Sequence, residues 1–506
     1  MIAYAEGSLN GRAGSPAARR LRLLGRAVLG VVAVVASGCA SLATGTAHEP
    51  APPDPALAVR VWISTADRQQ RLARQPDAQL HDAETATIEV DPGRRYQSMV
   101  GFGAAMTDAS AWLIETRLNS TQRAALLTDL FGPEPGIRLG LVRLPIGASD
   151  FSQTHYSFDD LPAGETDPAL AHFSIAPIER DVLPVMREAL RLNPTLRVIA
   201  SPWSAPAWMK TTHSLIRGTL LPEYYQAFSD YLIKYVDEMA SRGIPIFALT
   251  LQNEPHFEPA NYPGMQLTAT ARAQLIGRYL GPALARRASA PLILDWDHNW
   301  ERPQEPLQVL DDPVAAPYVA GIAWHCYGGS IAAQEQVHVA HPDKDTYLTE
   351  CSSGSWGPTP DASLLSMARQ QIVAATRGWA RGVLLWNIAL DEAGGPHLGG
   401  CRTCRGLVTI DSHTGEVTRN DDYYALAHVS RFVQPGAERI ESTATDAGLV
   451  NVAFRNPGGA SLVLVAVNSA SDPREISVAC VGRAFDYVLP PQSVATFVWS
   501  DRQANR

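Results

Sequence analysis

Eight short apolar segments recur between Gln97 and Trp386, and this repetition constrains the fold more than any other feature of the sequence. Each segment ends in polar or aromatic residues. Continuous apolar strands of this kind are typical of a parallel sheet that is covered on both faces. The eight segments are Met99–Ala104, Leu139–Leu144, Leu196–Ser201, Ile246–Leu251, Leu292–Trp296, Val319–Trp324, Thr346–Thr349 and Gly382–Trp386.

Stretches with helical periodicity separate these segments. They are Thr121–Phe131 after a possible N-cap at Ser120, Ile178–Leu192, Pro222–Ser241, Ala269–Ala288 and Asp361–Trp379. Eight strands alternating with helices predict an α/β protein whose sheet closes into a (β/α)8 barrel of the TIM type. An open doubly wound sheet is the alternative, although Gly101–Met106 lacks the third glycine of a dinucleotide-binding loop.

Short β runs flank the predicted barrel on both sides. Leu57–Ile63 and Ala86–Val90 precede it, and six runs separated by Gly and Pro follow its last helix, Tyr423–Val433. Such spacing predicts an all-β sandwich side domain built from both chain ends. We therefore expect N-terminal strands of the side domain in residues 57–95, the catalytic barrel in residues 96–433 and the C-terminal sandwich in residues 434–500.

The first 38 residues have the pattern of a signal peptide. An arginine-rich stretch precedes the apolar run Ala27–Gly38, which is too short to span a membrane and ends at Cys39. Small residues before a cysteine are typical of bacterial lipoproteins, with Ala36 standing where Leu is usual. We expect an exported protein that is anchored to a membrane through acylated Cys39, faces the periplasm or the cell exterior and has residues 39–56 as a tether. The alternatives are ordinary secretion and, less favoured, a buried structural helix.

Net charge and cysteine usage agree with an exported protein that binds no nucleic acid. The formal net charge is −9, which disfavours a polyanionic partner. Cys401 and Cys404 lie in a glycine-rich segment, and in an oxidising compartment a loop disulfide is favoured over a zinc half-site without a second cysteine pair. Cys326 and Cys351 are expected to stay reduced, although neighbouring strand ends could also bring them together.

Two glutamates follow apolar segments at positions suited to catalysis. Glu254 comes after the fourth segment and Glu350 after the seventh, so a barrel would place them on opposite strands at its catalytic face. Such a pair can flank a glycosidic bond, one acid protonating the leaving oxygen while the other attacks the anomeric carbon. Aromatic, amide and imidazole side chains suited to sugar binding follow the same segments: Trp203, Trp208, Asn253, His325, Tyr327 and Trp386.

Each of these residues also has an ordinary structural interpretation. A glutamate at a strand end is often a surface or salt-bridged group, and a tryptophan such as Trp203 or Trp386 is often part of the core. His325 could be a hydrogen-bonded structural histidine, and Asp150 could cap a turn. The joint pattern, rather than any single residue, favours a catalytic site.

Several motifs together resemble glycoside hydrolase family thirty, whose best-known members are the lysosomal-type glucosylceramidases. The motifs occur in the family's order from about Val59 to the C-terminus. The resemblance implies a glycoside hydrolase with a barrel and a β side domain made from both chain ends, and it implies neither a cofactor nor a metal. The segments that carry it are Gly101–Asp108, Arg143–Ser152, Ser201–Lys210, Gln252–Pro255, His325–Tyr327, Thr349–Cys351 and Trp386–Asp391.

The resemblance also implies a role for each matching residue. Glu254 would be the acid/base and Glu350 the nucleophile in a double displacement with net retention. Given these roles, we expect the environment of Glu254 and the nearby Glu350 carboxylate to raise the pKa of Glu254. Arg143 would keep Glu350 ionised, with His325 as a further supporting residue nearby. The residues expected to contact the sugar or the nucleophile are Asp150, Trp203, Asn253, Tyr327 and Trp386.

The substrate is less constrained than the reaction. The leading hypothesis is a retaining, glucosylceramidase-like hydrolase of β-glucosidic bonds, which would act on glucosylceramide or a related β-glucoside. The segment Gly394–Gly406 looks more like bacterial and fungal members, some of which cut β-1,6-glucan, so an endo-β-1,6-glucanase is the rival. A surface lipoprotein that binds glycans without cutting them is disfavoured, because both glutamates, Asn253 and Arg143 are retained.

Overall fold

The computed structural model describes residues 58–501, except residue 84 and residues 356–361. The predicted signal peptide, Cys39 and the tether lie outside this range. Within it, no helix combines the length and the apolar composition that crossing a bilayer requires.

Four strands precede the barrel and belong to the side domain. Their inward-facing residues alternate with exposed ones, as in the Ile88–Ser98 strand, where Ile88 and Val90 are buried and Glu89 and Asp91 are exposed. These strands are β1 (Ala58–Thr65), β2 (Ala73–Gln79), β3 (His81–Asp82) and β4 (Ile88–Ser98).

Eight parallel strands then form the closed barrel, which confirms the predicted architecture and excludes the open doubly wound sheet. Each strand pairs with its neighbours in chain order, and the last pairs with the first, Val383 lying opposite Phe102. The strands are β5 (Gly101–Ala105), β6 (Leu141–Ile146), β7 (Arg197–Pro202), β8 (Ala248–Thr250), β9 (Leu292–Asn299), β10 (Val319–His325), β11 (Asp345–Glu350) and β12 (Ala380–Leu385).

Helices cover the outside of the barrel. The expected helix at Ser120 is capped one residue earlier, because the Asn119 side chain accepts from the backbone N–H groups of Thr121 and Gln122. The helices are α1 (Asp108–Thr116), α2 (Ser120–Phe131), α3 (Ala176–Glu179), α4 (Val182–Leu192), α5 (Tyr225–Ser241), α6 (Ala269–Gln274), α7 (Gly281–Ala285), α8 (Gln304–Leu310), α9 (Ala332–Ala340), α10 (Ala362–Ser366), α11 (Ala375–Arg377) and α12 (Asp421–Ser430).

Two of the predicted helices contain a π-helical turn, and one is interrupted. Leu275–Leu280 joins α6 to α7, and Met367–Ala374 joins α10 to α11, so the chain continues as a helix through both. The stretch predicted as Ile178–Leu192 is broken between α3 and α4. Short 3-10 turns occupy Ala207–Met209, Pro222–Tyr224, Ala316–Tyr318 and Pro457–Gly459.

A small three-stranded sheet follows the barrel and was not predicted from the sequence. It comprises β13 (Ala389–Leu390), β14 (Val408–Ile410) and β15 (Val417–Arg419). Strands of two or three residues are too short to show a periodicity. The segment Gly394–Gly406 lies between β13 and β14, so this sheet holds both ends of the cysteine-containing loop.

Ten strands from both chain ends form the side domain, as the sequence predicts. β1 pairs with β21, and β4 pairs with both β16 and β19, so N-terminal and C-terminal strands interleave. The C-terminal strands are β16 (Glu438–Ser442), β17 (Leu449–Arg455), β18 (Leu462–Asn468), β19 (Arg474–Cys480), β20 (Arg483–Leu489) and β21 (Ser493–Trp499).

A buried histidine joins the last barrel helix to the side domain. His428 of α12 is fully buried, with Nδ1 2.8 Å from Thr496 Oγ1 and Nε2 2.9 Å from Ser64 Oγ. Thr496 Oγ1 donates its hydrogen to the His428 carbonyl, so it accepts from Nδ1, and Ser64 donates to Nε2. This network fits a neutral imidazole, and burial lowers the pKa of His428 to about 3.

We predict that His428 makes the protein less stable as the pH falls. The unfolded chain takes up a proton below about pH 6.5, whereas folded His428 does not until about pH 3, so stability is complete above pH 6.5 and is lost on acidification. By about pH 5 the free energy of unfolding should have fallen by roughly 2 kcal/mol because of His428 alone. Urea unfolding of His428→Gln between pH 7 and pH 5 should show a shallower loss than wild type. Equal losses would contradict the prediction; His413→Gln, at an exposed histidine, controls for removal of one imidazole.

Candidate active site

Arg143 lies at the centre of the barrel mouth and is fully buried. It projects from β6, and its guanidinium donates to four different side chains, among them Ser201, whose Oγ lies 3.3 Å from Nη2. Nη1 lies 2.5 Å from Glu350 Oε2, and Nη2 lies 2.7 Å from Asn253 Oδ1 and 2.8 Å from Asp297 Oδ2. The arginine therefore fixes the positions of residues from four other strand ends.

Asp297 is the buried counter-charge of Arg143, and the sequence did not predict it. The fifth apolar segment was expected to end at Trp296, but β9 continues to Asn299 and carries Asp297 into the barrel. Although burial raises its pKa, Arg143 and His325 hold the pKa of Asp297 well below its usual range. Three hydroxyl groups also donate to its carboxylate, those of Ser201 (2.6 Å), Thr250 (2.8 Å) and Thr349 (2.6 Å).

Both predicted glutamates lie at this mouth. Glu350 is the last residue of β11, and Tyr327 donates its hydroxyl hydrogen to Oε1 at 2.9 Å. Glu254 follows β8 in a left-handed conformation with φ +47°, held by its N–H donating to the Asp297 carbonyl at 3.0 Å. Its Oε1 lies 3.1 Å from His325 Nδ1, and Glu350 Oε1 lies 4.0 Å from the same nitrogen. The two carboxylate oxygens therefore lie closer together than about 9 Å, which is near the wide end of the carboxyl separations of inverting glycosidases.

The charges around the two carboxyl groups reverse the pKa order expected from Arg143 alone. Burial raises the pKa of Glu350, and the positive charges of His325 and Arg143 offset this only in part. Glu254 is also buried, yet His298 and His325 bring its pKa below the usual glutamate value. The expectation that Glu254 has the raised pKa is therefore wrong, because the sequence did not show that two histidines face it.

His325 and His298 both lie beside Glu254. Burial lowers the pKa of His325, but the carboxylates of Glu350, Asp297 and Glu254 outweigh this and raise it to about 9. The His325 ring is held between Asp297 and Glu254, each 3.1 Å from one ring nitrogen. His298 lies beside it with Nδ1 3.7 Å from Glu254 Oε1. The predicted supporting role of His325 fits this position, whereas His298 was missed because it follows Asp297 beyond the expected strand end.

A cavity of about 430 Å³ opens above these residues. Trp203 and Trp386 stack on each other with ring centroids 5.2 Å apart, and the Arg143 guanidinium lies over both rings. The cavity wall includes every predicted catalytic and sugar-contacting residue: Glu254, Glu350, Asp150, Trp203, Asn253, Tyr327 and Trp386. Trp208 instead is a core residue whose indole N–H donates to Asp159 at 3.0 Å.

Asp150 is held against the segment that contains the predicted loop disulfide. A Cβ atom on Gly400, whose φ is +64°, would lie 2.3 Å from Asp150 Oδ2, so only glycine allows this approach. The backbone N–H of Cys401 donates to the Asp150 carboxylate, but burial and the charge of Glu350 raise the pKa of Asp150 to about 8. The Asp150 carboxyl group therefore lines the cavity, where it can hydrogen-bond to a ligand, and does not cap a turn.

Two disulfides lie at this end of the barrel. Cys401 is bonded to Cys404, as predicted, which excludes the zinc half-site. Cys326 is bonded to Cys351, so the expectation that both stay reduced is wrong. His325 lies opposite Glu350 in the pairing of β10 with β11, and the residues that follow them are therefore adjacent, with Cα atoms 5.3 Å apart. The remaining described cysteine, Cys480, is buried without a disulfide partner.

Comparison with known proteins places this arrangement in one family. The family models described as the TIM-barrel domain and the beta sandwich domain of glycosyl hydrolase family 30 match residues 99–433 and 436–497. An endo-1,6-beta-D-glucanase of Aspergillus fumigatus is 34% identical over 440 residues, which cover 81% of this chain and 87% of that protein. The lysosomal acid glucosylceramidase of Mus musculus is 29% identical over 442 residues, which cover 81% and 83%.

A solved structure extends the comparison to three dimensions. It is that of an endo-beta1,6-glucanase, with a TM-score of 0.80 and 32% sequence identity. The alignment covers 87% of this chain and 99% of that one. The likeness therefore includes both the barrel and the side domain.

We predict that Asp297→Asn destabilises the protein by about 3–5 kcal/mol, because it removes the fully buried carboxylate that pairs with Arg143 and leaves Glu350 as the remaining ionic partner of this arginine. The free energy of unfolding, measured with urea, tests this. Asp345→Asn is a matched control, since Asp345 pairs with Arg381 on the same barrel but both side chains are partly exposed. The control should cost at most about 1 kcal/mol, and equal losses for the two variants would contradict the role assigned to Asp297.

Proposed function

The protein belongs to glycosyl hydrolase family 30 and is a glycoside hydrolase. From this premise we propose that it is an endo-acting enzyme that cleaves internal bonds of β-1,6-linked glucan. The observation that carries the proposal is the pairing of Glu254 and Glu350 across one cavity, with Arg143 and Tyr327 fixing Glu350. The relatives described above support the substrate: the identity to the glucanases, 34% and 32%, exceeds the 29% to the glucosylceramidase.

The proposed mechanism is a double displacement with retention. Glu350 attacks the anomeric carbon while Glu254 gives a proton to the glycosidic oxygen, which leaves with the departing sugar. Glu254 then takes a proton from water, which displaces Glu350 and restores both groups. Asn253 is held by Arg143 beside the sugar and can hydrogen-bond to a hydroxyl. Because the proton of the first step must be on Glu254, substrate binding has to raise the pKa of Glu254 from its lowered value.

The side of the cavity next to Glu254 offers a contact for the leaving sugar. The Phe257 N–H donates to the Glu254 carbonyl at 2.8 Å, so its ring lies one turn beyond the acid. Phe257 is 46% exposed, lines the cavity and lies 6.4 Å from the Tyr262 ring. The leaving sugar departs on the side of the acid that protonates it, which is Glu254. Cleavage of a glucan requires a binding position for a second glucose unit on this side, and the aromatic rings of Phe257 and Tyr262 suit it.

Glucosylceramide is the second candidate substrate. The mouse relative favours it, as do two exposed apolar residues near the mouth, Phe257 and Leu398, which could contact a lipid chain. The backbone N–H of Leu398 donates to the Asp150 carbonyl at 2.8 Å, which places this leucine next to the sugar site.

A product profile separates the two substrates. We expect purified enzyme to convert pustulan, a β-1,6-glucan, into a ladder of β-1,6-linked oligosaccharides and to leave glucosylceramide largely intact. Phe257→Ala should lower kcat/KM on pustulan by about tenfold, equivalent to roughly 1.4 kcal/mol of lost contact. Val339→Ala, at an exposed residue of α9, is the control and should leave this value unchanged. Faster turnover of glucosylceramide would overturn the glucanase proposal, and glucose as the sole product from pustulan would overturn cleavage within the chain.

Azide rescue tests the two glutamates individually. Glu350→Ala should abolish turnover of an aryl β-glucoside, and azide should restore it with an α-glycosyl azide as product, because azide then attacks from the side of the missing carboxylate. Glu254→Ala should slow poor leaving groups by about 10²–10⁴-fold and activated aryl groups far less. Azide should then give the β-glycosyl azide. Products of the opposite configuration, identified by NMR, would reverse or exclude the assignment.

We also propose that the enzyme is a lipoprotein anchored through Cys39 and acting outside the cytoplasm. The basic stretch, the apolar run Ala27–Gly38 and the cysteine support this. Cys39→Ser should move the protein from the membrane fraction to the soluble fraction. Retention of the variant in the membrane fraction would contradict the anchor.

A further inference from the structure

Three side chains beside the cavity have the geometry of an incomplete metal site. The ligand atoms of Glu254, His298 and His325 all lie within 4.8 Å of one another. Glu254 Oε1 is 3.1 Å from His325 Nδ1 and 3.7 Å from His298 Nδ1. Four ligands at about 2.1 Å around a tetrahedral zinc ion lie roughly 3.4 Å from one another, so both separations are close to those that zinc requires.

His298 supplies a separate observation that points to a ligand. Its side chain is 8% exposed, and Nδ1 is buried without a hydrogen-bond partner among the described residues. A buried polar atom normally has such a partner. This nitrogen lies 3.7 Å from Glu254 Oε1, which is too far for a hydrogen bond but close to the separation of two ligands around zinc.

His325 is already oriented as a metal ligand. Its Nε2 lies 3.1 Å from Asp297 Oδ1, and Asp297 is fixed by Arg143 and three hydroxyl groups. A carboxylate that accepts from one imidazole nitrogen while the other nitrogen faces the metal is the usual outer shell of a histidine ligand. His325 Nδ1 therefore faces Glu254 from a ring that cannot easily turn away.

We propose that Glu254, His298 and His325 bind a zinc ion that inhibits the enzyme. Two imidazoles and one carboxylate suit zinc and disfavour calcium and magnesium, which prefer oxygen ligands. Zinc would displace the proton from His325 Nδ1, and the proton would pass to solvent. With His325 neutral, Glu254, Glu350 and Asp297 carry three negative charges against the one positive charge of Arg143, so a divalent cation balances the group.

Zinc at this point would block the reaction rather than assist it. Glu254 lines the cavity, where the glycosidic oxygen has to approach its carboxyl group. A Glu254 oxygen bonded to zinc cannot deliver a proton to that oxygen. Inhibition should therefore compete with substrate, and this part of the inference rests on the proposed role of Glu254.

Zinc binding itself can be measured without any assay of activity. Titration calorimetry of the wild-type protein with zinc chloride, after treatment with a chelator, should show one site that His298→Gln weakens by at least about 100-fold, since loss of an outer-shell partner alone costs roughly 10–100-fold. His155→Gln is the matched control: it removes a half-buried histidine whose Nε2 lies 3.2 Å from the Leu398 carbonyl oxygen, and zinc affinity should not change.

A second measurement keeps the inference testable if His298→Gln does not fold. Zinc-edge anomalous diffraction from soaked wild-type crystals should show the ion between the three side chains. An ion found only elsewhere, no binding to wild type, or equal zinc affinity in wild type and His298→Gln would overturn the zinc site. If zinc occupies the site but does not compete with substrate, the inhibitory role and the assignment of Glu254 fail while the site itself stands.

Discussion

The buried charge of Arg143 is the constraint on which the catalytic end of the barrel depends. A buried guanidinium is tolerated only if its charge is compensated, and here the carboxylates of Asp297 and Glu350, the Asn253 amide oxygen and two indole rings surround it. Because these partners come from different strands, each strand must end at a defined height. The catalytic geometry and the closure of the barrel are thus parts of the same packing problem.

Asp297 makes this arrangement rigid rather than merely neutral. It receives hydrogen bonds from residues of β7, β8, β10 and β11 as well as from Arg143. One carboxylate therefore ties five strands together just below the cavity. Glu350 shares Arg143 with Asp297, which explains why the arginine alone does not hold the pKa of Glu350 low.

Strand positions and their polar ends could be predicted from the sequence, whereas contacts across the mouth could not. The apolar runs located all eight barrel strands, and placed Glu254, Glu350 and Arg143 at their ends, because burial on both faces leaves a continuous apolar signal. Asp297 and His298 were missed because β9 runs past the end of that signal. The Cys326–Cys351 bond depends on the register of β10 and β11, and a linear pattern carries no information on register between strands.

The small sheet and the charges around the two glutamates could not be predicted from the sequence either. β13 to β15 are too short for periodicity, yet they hold the loop that positions Gly400 against Asp150. The pKa order of the two glutamates likewise depends on which histidines face them, and that is a property of distances rather than of sequence. The motif resemblance identified the two glutamates, but the directions of their pKa shifts follow only from the positions of the charged side chains in the folded barrel.

Interleaved pairing in the side domain has a consequence for how the molecule is made. β1 pairs with β2 on one side and with β21 on the other, and β4 lies between β16 and β19, so β4 and one edge of β1 find their partners only after the C-terminal strands have been synthesised. Pairings at such separations form slowly, since the intervening chain must first be brought together. Until then β4 and one edge of β1 are open to pairing with other chains, and the barrel, which lies between β4 and β16 in the sequence, brings the two groups of strands together.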